Sequence, residues 1–229
     1  MLKPVDYNQR QHQGYAAGRA MPDESRAIWA EALARRAPEA RPLSVLDLGS
    51  GTGRLTPILA ETFGGPVWGV EPFDRMREQA EAADHPANVT YLAGRAEDIP
   101  LADVSCDLVV AFLSLHNVRD DRPAAAREIR RVLRPGGRVL IRSSFSDRLP
   151  LIDWHQWFEG AREAELKMFP TTGEVEAMFA AVGLERLALD VVRERYADSL
   201  AEQAERLKTR AISTFEYLDE AAIEAGFRK

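Results

Sequence analysis

The chain has 229 residues, 45% hydrophobic and 29% charged, with Lys+Arg 30 against Asp+Glu 36 for a formal net charge of −6 and a pI near 5.4. That composition fits one globular core domain with appendages and excludes low-complexity and collagen-like chains, and the absence of a global positive field argues against a nucleic-acid or membrane-surface partner. The single cysteine, Cys106, excludes a cystine scaffold and a multi-cysteine zinc site; with no apolar run near about 18 residues and a polar N-terminus, a cytoplasmic protein is expected.

A helical lead-in comes first. Apolar residues recur at helical spacing from Asp23 to Ala37 (Ile28, Trp29, Ala32, Leu33), with Asp23 read as the cap and Pro38 as the stop. After Pro42 come short aliphatic runs: SVLDL at 44–48, VWGVE at 67–71, VTYLA at 89–93, CDLVVAFL at 106–113 and RVLIRSS at 138–144. Helical stretches over 54–63, 73–83 and 122–133 separate them, the last stopped by Pro135-Gly136-Gly137. Continuous apolar strands alternating with helices predict an α/β, doubly wound, mostly parallel sheet covered on both faces, joined by right-handed crossovers.

Residues 145–170 are rich in large apolar side chains: Phe145, Leu149, Leu151, Ile152, Trp154, Trp157, Phe158 and Phe169. Trp154, Trp157 and Phe158 read either as the wall of an apolar acceptor site or as a helix face packed on the sheet. Thr171 or Thr172 caps a helix over 174–182 that ends at Gly183. A sixth strand is predicted over 184–196, then a charged amphipathic helix over about 199–218 and a short helical tail. The organisation is a lead-in or lid (1–42), a ligand-binding core (43–144), a substrate-pocket segment (145–182), and a sixth strand with C-terminal helices (183–229), within one domain.

The sharpest local feature is VLDLGSGTGRLTPIL, a strand entering Gly49-Ser50-Gly51-Thr52-Gly53 and then a helix. Alternating glycines let the backbone turn tightly and approach a ligand closely, with the following helix N-terminus aimed at the site. The dinucleotide pattern G-x-G-x-x-G fails, because its third glycine falls on Arg54 counted from Gly49 or on Thr56 counted from Gly51. Glu71 closes the second strand 18 positions after Gly53 (71 − 53), where a carboxylate at the solvent edge can accept both hydroxyls of a ribose.

These residues resemble those of class I S-adenosylmethionine-dependent methyltransferases acting on small molecules. The resemblance covers about 15–195 and rests on four segments in order: VLDLGSGTG, VWGVEPFDRM, GRAEDIPLADVSCDLVVAFLSLHNV and EIRRVLRPGG. It implies S-adenosyl-L-methionine as cofactor, S-adenosyl-L-homocysteine as product, and a doubly wound sheet with a late antiparallel strand. It also implies roles for single residues. Asp47, Gly49, Ser50, Gly51, Thr52 and Gly53 would surround the methionine part and ribose, and Glu71 would hold the diol. Phe73 and Met76 would flank the adenine, with Ala96 and Glu97 at its edge. Phe112, Leu113 and Ser114 would lie beside the sulfonium and acceptor. Tyr15 and Arg19 resemble an N-terminal segment folding over the cofactor, where the guanidinium binds its carboxylate. One departure is that the family's closing seventh strand has no counterpart in EYLDEAAIEAGFRK, so either the sheet lacks it or the sequence is shortened there.

Methyl transfer from a sulfonium is an in-line displacement on an activated electrophile, so alignment and desolvation carry much of the acceleration and a base is optional. For a hydroxyl or acidic-carbon nucleophile, His116 and His155 are the candidate bases; each reads equally as a structural histidine. His12 and His85 read as solvated surface, Cys106 as core. Neither an Asn/Asp-Pro-Pro-Tyr tetrapeptide nor a Pro-Cys pair is present, and no metal motif is, so no metal is expected. The leading reading is a methyltransferase for a small organic acceptor. The alternatives are a non-catalytic cofactor-binding partner protein, favoured if 145–170 plugs the acceptor pocket, and a nicotinamide-dependent oxidoreductase, which lacks the required glycine spacing.

Overall fold

The five aliphatic runs form strands β1 (Leu43–Leu48), β2 (Gly64–Glu71), β3 (Val89–Ala93), β4 (Cys106–Phe112) and β5 (Leu133–Arg142). They lie in the order β3-β2-β1-β4-β5 with every pair parallel. The structure, a computed structural model, describes residues 5–9, 11–118, 121–149 and 153–229; Leu151 and Ile152 of the predicted aromatic stretch lie outside the described residues. Helices α1 (Gln11–Gly18) and α2 (Asp23–Arg36) precede the sheet, and α3 (Thr56–Phe63), α4 (Asp74–Ala82) and α5 (Arg122–Val132) connect its strands. Beyond it come α6 (Ala161–Met168), α7 (Thr172–Ala180), α8 (Leu200–Lys208) and α9 (Glu220–Phe227). The chain steps from β1 outward to β3, then returns to place β4 on the other side of β1. That reversal opens a crevice at the carboxyl ends of β1 and β4.

Side chains of successive strand residues leave opposite faces, and both faces are buried. Val45, Leu108 and Val110 pack with Leu33, Leu59 and Phe63 of α2 and α3, whereas Leu46, Leu48 and Val109 pack with Ile129 and Val132 of α5 and Phe179 of α7. Residues such as Leu59 and Ile129, at 0% exposure, each contribute roughly 1.5–3 kcal/mol by this burial. The two-sided cover is what the apolar runs predict, and the fold is the doubly wound one expected.

Several local expectations need correction. Asp23 is the first residue of α2, not its cap; Pro22 stands at the N-cap with no side-chain cap bond. Residues 133–142 form one strand, and the Pro-Gly-Gly step becomes a register shift in which Cys106 pairs with Leu133 and Leu108 with Arg138. Of the two threonines offered as the cap of α7, Thr171 is the one, through a capping box with Glu174. The predicted helix over 199–218 stops at Lys208: Thr209 Oγ1 bonds Arg206 O at 2.6 Å, Arg210 takes φ +53°, and the chain resumes as a 3₁₀ turn, Ser213–Tyr217.

Residues 184–196 form no strand. Leu187 and Val191 are exposed, and the segment is tethered by side chains: Arg36 makes a two-pronged pair with Asp190 (2.7 and 2.9 Å), and Glu194 holds Trp29 and Arg142. The apolar pattern is present, but a strand needs a ladder partner, and none pairs with this segment among the described residues. Phe145 packs against the sheet-face cluster, but Trp154, Trp157 and Phe158 neither pack on the sheet nor wall the crevice. Trp154 and Phe158 join Leu207, Phe215 and Ile223 in a separate core, with Phe158 and Phe215 edge to face at 5.1 Å.

Candidate functional site

A cavity of about 560 Å³ occupies the crevice. Its floor is the glycine loop. Gly49 and Gly51 both have positive φ (+77° and +59°), and Gly49 and Ser50 both donate N–H to Val70 O (2.8 and 3.1 Å), locking the loop to β2. At Gly49 a side chain would overlap Ser114, whose hydroxyl donates to Leu48 O at 2.6 Å. At Gly51 a Cβ would meet only Met76 and Tyr15, at 3.6 and 3.9 Å, so the missing side chain leaves room for a ligand.

Two acids serve the loop from beneath. Asp47 is buried and accepts Thr56 Oγ1 at 2.7 Å; burial pushes its carboxyl up to about 6, against the pull of that bond. Glu71 is 5% exposed, which corrects the expectation of a solvent-edge carboxylate. Its Oε2 accepts Gly51 N–H at 2.9 Å and its Oε1 accepts Phe73 N–H at 3.0 Å, so it ties the loop to the end of β2. Burial pushes it up to about 7 while those two amides pull it down. Each oxygen keeps a lone pair beyond its amide bond, and Glu71 lines the cavity.

The cavity's second wall comes from the chain's other two motif segments: Phe73 and Met76 at the start of α4, and Ala96 and Glu97 after β3. Phe112, Leu113 and Ser114 line the end of β4. Leu113 is held at φ +56°, unusual for a branched side chain, with its N–H on Arg142 O at 2.8 Å. The roof is the N-terminal segment. Tyr7 is buried and packs on Tyr15 and Phe73 (6.0 and 5.3 Å), and Asn117 Nδ2 donates to its hydroxyl at 3.3 Å. Gln79 Nε2 on His12 O (2.9 Å) and Arg75 N–H on Asn8 Oδ1 (3.1 Å) stitch this roof to α4. In α1, side chains at Gly14 or Gly18 would collide with Thr209 at the end of α8, so the roof is seated against the C-terminal helices.

The structure thus gathers Tyr15, Asp47, Gly49, Ser50, Gly51, Glu71, Phe73, Met76, Ala96, Glu97, Phe112, Leu113 and Ser114 around one cavity. Thr52 and Gly53 complete the loop but do not line the cavity, and Gly53 is crowded by Tyr91. Arg19 is not a lining residue, but its backbone carbonyl accepts Arg54 Nη1 at 2.9 Å. The two histidines fall elsewhere. His116 is buried in the 3₁₀ turn Leu115–Asn117, edge to face with Phe169 at 4.9 Å, between the lining residues Leu115 and Asn117. His155 sits beside Trp154 with Nε2 3.1 Å from Glu165 Oε2, whose Oε1 accepts Thr214 Oγ1 at 2.9 Å. His12 and His85 are half-buried, not surface; His85 packs on Tyr91 at 5.4 Å. Cys106 is fully buried, as expected.

Sequence reasoning missed Val5, Asp6, Tyr7 and Asn8 of the roof, and Arg54 and Asn117. Arg54 was in view as the residue breaking the dinucleotide pattern. The roof had no periodic signal. Among the described residues no group of three His, Cys, Asp or Glu could hold a metal, and no helix is long and apolar enough to cross a membrane.

A glycine loop under a two-stranded switch point, with an acid closing β2, defines a class I methyltransferase fold. Residues 46–141 match the family model described as a methyltransferase domain, a family that generally uses S-adenosylmethionine. It is 45% identical over 106 residues to an uncharacterised methyltransferase of Mycobacterium tuberculosis, covering 46% of this chain and 42% of that one. It is 36% identical over 114 residues to the ubiquinone/menaquinone biosynthesis C-methyltransferase UbiE of Rubrivivax gelatinosus, covering 49% and 44%. The matches therefore span less than half of those relatives' lengths. In overall shape it resembles a putative methyltransferase from an antibiotic biosynthesis pathway of Anabaena variabilis, with a TM-score of 0.74 at 23% identity over 88% of this chain and 83% of that one.

Proposed function

We propose that the protein binds S-adenosyl-L-methionine in this cavity and transfers its methyl group to a small organic acceptor. The observation that carries the reading is Glu71, whose two carboxylate oxygens each take one backbone amide and keep lone pairs for a ribose diol. Two further polar atoms in the cavity wall favour a polar ligand: Ser50 Oγ and Asn117 Oδ1 are buried without a hydrogen-bond partner. When bound, the cofactor supplies a methyl group on an activated sulfonium. The chain's own residues hold and shield. Gly51 leaves space beside the loop, Phe73 and Met76 give an apolar bed for adenine, and Ala96 and Glu97 border it. Tyr7 and Tyr15 close the roof and exclude water, raising the reactivity of a desolvated nucleophile. Phe112, Leu113 and Ser114 border the acceptor side, and for an acceptor that must lose a proton we assign the base to His116, which flanks that side. His155, engaged with Glu165 and Trp154, suits a positioning role. Trp154, Trp157 and Phe158 pack away from the cavity, which weighs against the reading in which this stretch plugs it.

The test is calorimetric titration with S-adenosylhomocysteine, with NAD as the control. Micromolar S-adenosylhomocysteine binding and a raised melting temperature are expected. Binding of NAD in its place rejects methyl transfer.

A further inference from the structure

Phe112 at the end of β4 lies under two guanidinium groups. Arg54 Cζ is 5.6 Å and Arg142 Cζ 5.2 Å from its ring centroid, and Arg142 is also 5.2 Å from the Trp29 ring. A third arginine joins them: Arg54 Nη1 bonds the Arg19 carbonyl, and Arg19 Nε is buried with no hydrogen-bond partner. Three carboxylates act on this group, and all are committed: Glu165, which feels Arg19, already serves Thr214 and His155. Glu194 divides its oxygens between Arg142 Nη2 (2.8 Å) and Trp29 Nε1 (2.6 Å), and Asp47 serves Thr56. Burial, followed by the charge of Arg19, pushes Arg142 down to about 10, while Glu194 pulls it up and Arg54 pushes it further down. Arg54 is lowered by burial and Arg19, against Tyr15, Glu194 and Asp47. Positive charge gathered at half-buried positions favours a paired anion, and guanidinium forks match oxyanions.

We infer that the arginine group around Phe112 is an oxyanion subsite for the acceptor, so that the molecule methylated carries a carboxylate or phosphate. This deepens the proposed function and rests on it. Phe112 and Arg54 both line the cavity, so the subsite opens on the ligand space. The cofactor's own carboxylate is the other source of an oxyanion. It is one group, while three guanidinium groups share a single ion-paired carboxylate, Glu194, so a second anion is accommodated.

The test uses benzoate, phenyl phosphate and the neutral isostere benzamide, titrated into protein saturated with S-adenosylhomocysteine. At least one anion is expected to bind in the millimolar range and at least about tenfold more tightly than benzamide. Arg54→Gln and Arg142→Gln should each erase that preference, and Glu194→Gln, which removes the competing carboxylate, should tighten anion binding several-fold. The Glu194 variant keeps the inference falsifiable where an arginine variant folds poorly. Equal binding of anion and benzamide, no anion binding at about 20 mM, or no gain in Glu194→Gln overturns it. Anion binding to protein loaded with methylthioadenosine but not to protein loaded with S-adenosylhomocysteine assigns the arginines to the cofactor and also overturns it. Failure to bind S-adenosylhomocysteine at all is a different result, and removes the proposed function itself.

Discussion

Glu71 offers the most exacting test because its two attachments are visible. In the free protein its carboxyl titrates near 7, raised by burial. Two ribose hydroxyls donating to it favour the charged form and should return it toward its ordinary 4.5. At pH 6 a group titrating near 7 is about nine-tenths protonated and must release that proton on binding; at pH 8 it is already ionised. Affinity for S-adenosylhomocysteine should therefore rise about tenfold from pH 6 to 8, with proton release seen in calorimetry repeated in buffers of different ionisation enthalpy. The ligand-free protein shows the opposite sign. Its folded state holds the proton more tightly than the unfolded chain, so the stability this carboxyl contributes is fully present below about pH 4.5 and is lost as pH rises toward 7, by on the order of 3 kcal/mol. Asp47, raised to about 6, adds in the same direction at lower pH. Glu71→Gln keeps the shape but cannot ionise, so it should lose the affinity slope and bind about ten- to a hundredfold more weakly. A flat wild-type profile, or the same slope in Glu71→Gln, refutes the reasoning.

Gly49→Ala should lower stability by about 1–3 kcal/mol, through positive φ and collision with Ser114, whereas Gly51→Val should cost ligand affinity more than its strain costs stability; parallel denaturant melts and titrations separate the two. Phe215→Ala, which removes the 1%-exposed ring joining Trp154 and Phe158, should cost about 3–5 kcal/mol in urea unfolding. Thr171→Ala should cost about 1 kcal/mol by removing the capping box of α7, and Thr171→Ser should restore it.

What sequence revealed and what it hid divide along physical lines. The strands Leu43–Leu48 and Cys106–Phe112 are mostly apolar runs, interrupted only by Ser44, Asp47 and Asp107, because both faces are covered, and that signal is local. The glycine loop and Glu71 were legible for a related reason: backbone approach and charge at a strand end leave few alternatives in residue type. The burial of Glu71 was not legible, since it depends on amides from Gly51 and Phe73 arriving from different turns. Nor was the loss of pairing over 184–196, because alternation of apolar residues prepares a strand but only a neighbouring edge completes one. The aromatic stretch misled for the same reason. Trp154 and Phe158 declare that they will be buried but not against what, and their partners Phe215 and Ile223 lie more than fifty positions away.

The seating of α1 on Thr209 bears on timing. The helix that roofs the cavity approaches the C-terminal region so closely that neither Gly14 nor Gly18 has room for a methyl group. Tyr15, the α1 residue that lines the cavity, lies on the helix held by this contact, so a roof that lifts to release ligand would lift at a junction remote from the glycine loop. Gly18→Ala should act as a wedge there, shortening the lifetime of the S-adenosylhomocysteine complex in stopped-flow displacement while leaving the bonds to Glu71 as they are. Ligand exchange would then depend on how tightly two glycines sit against one threonine.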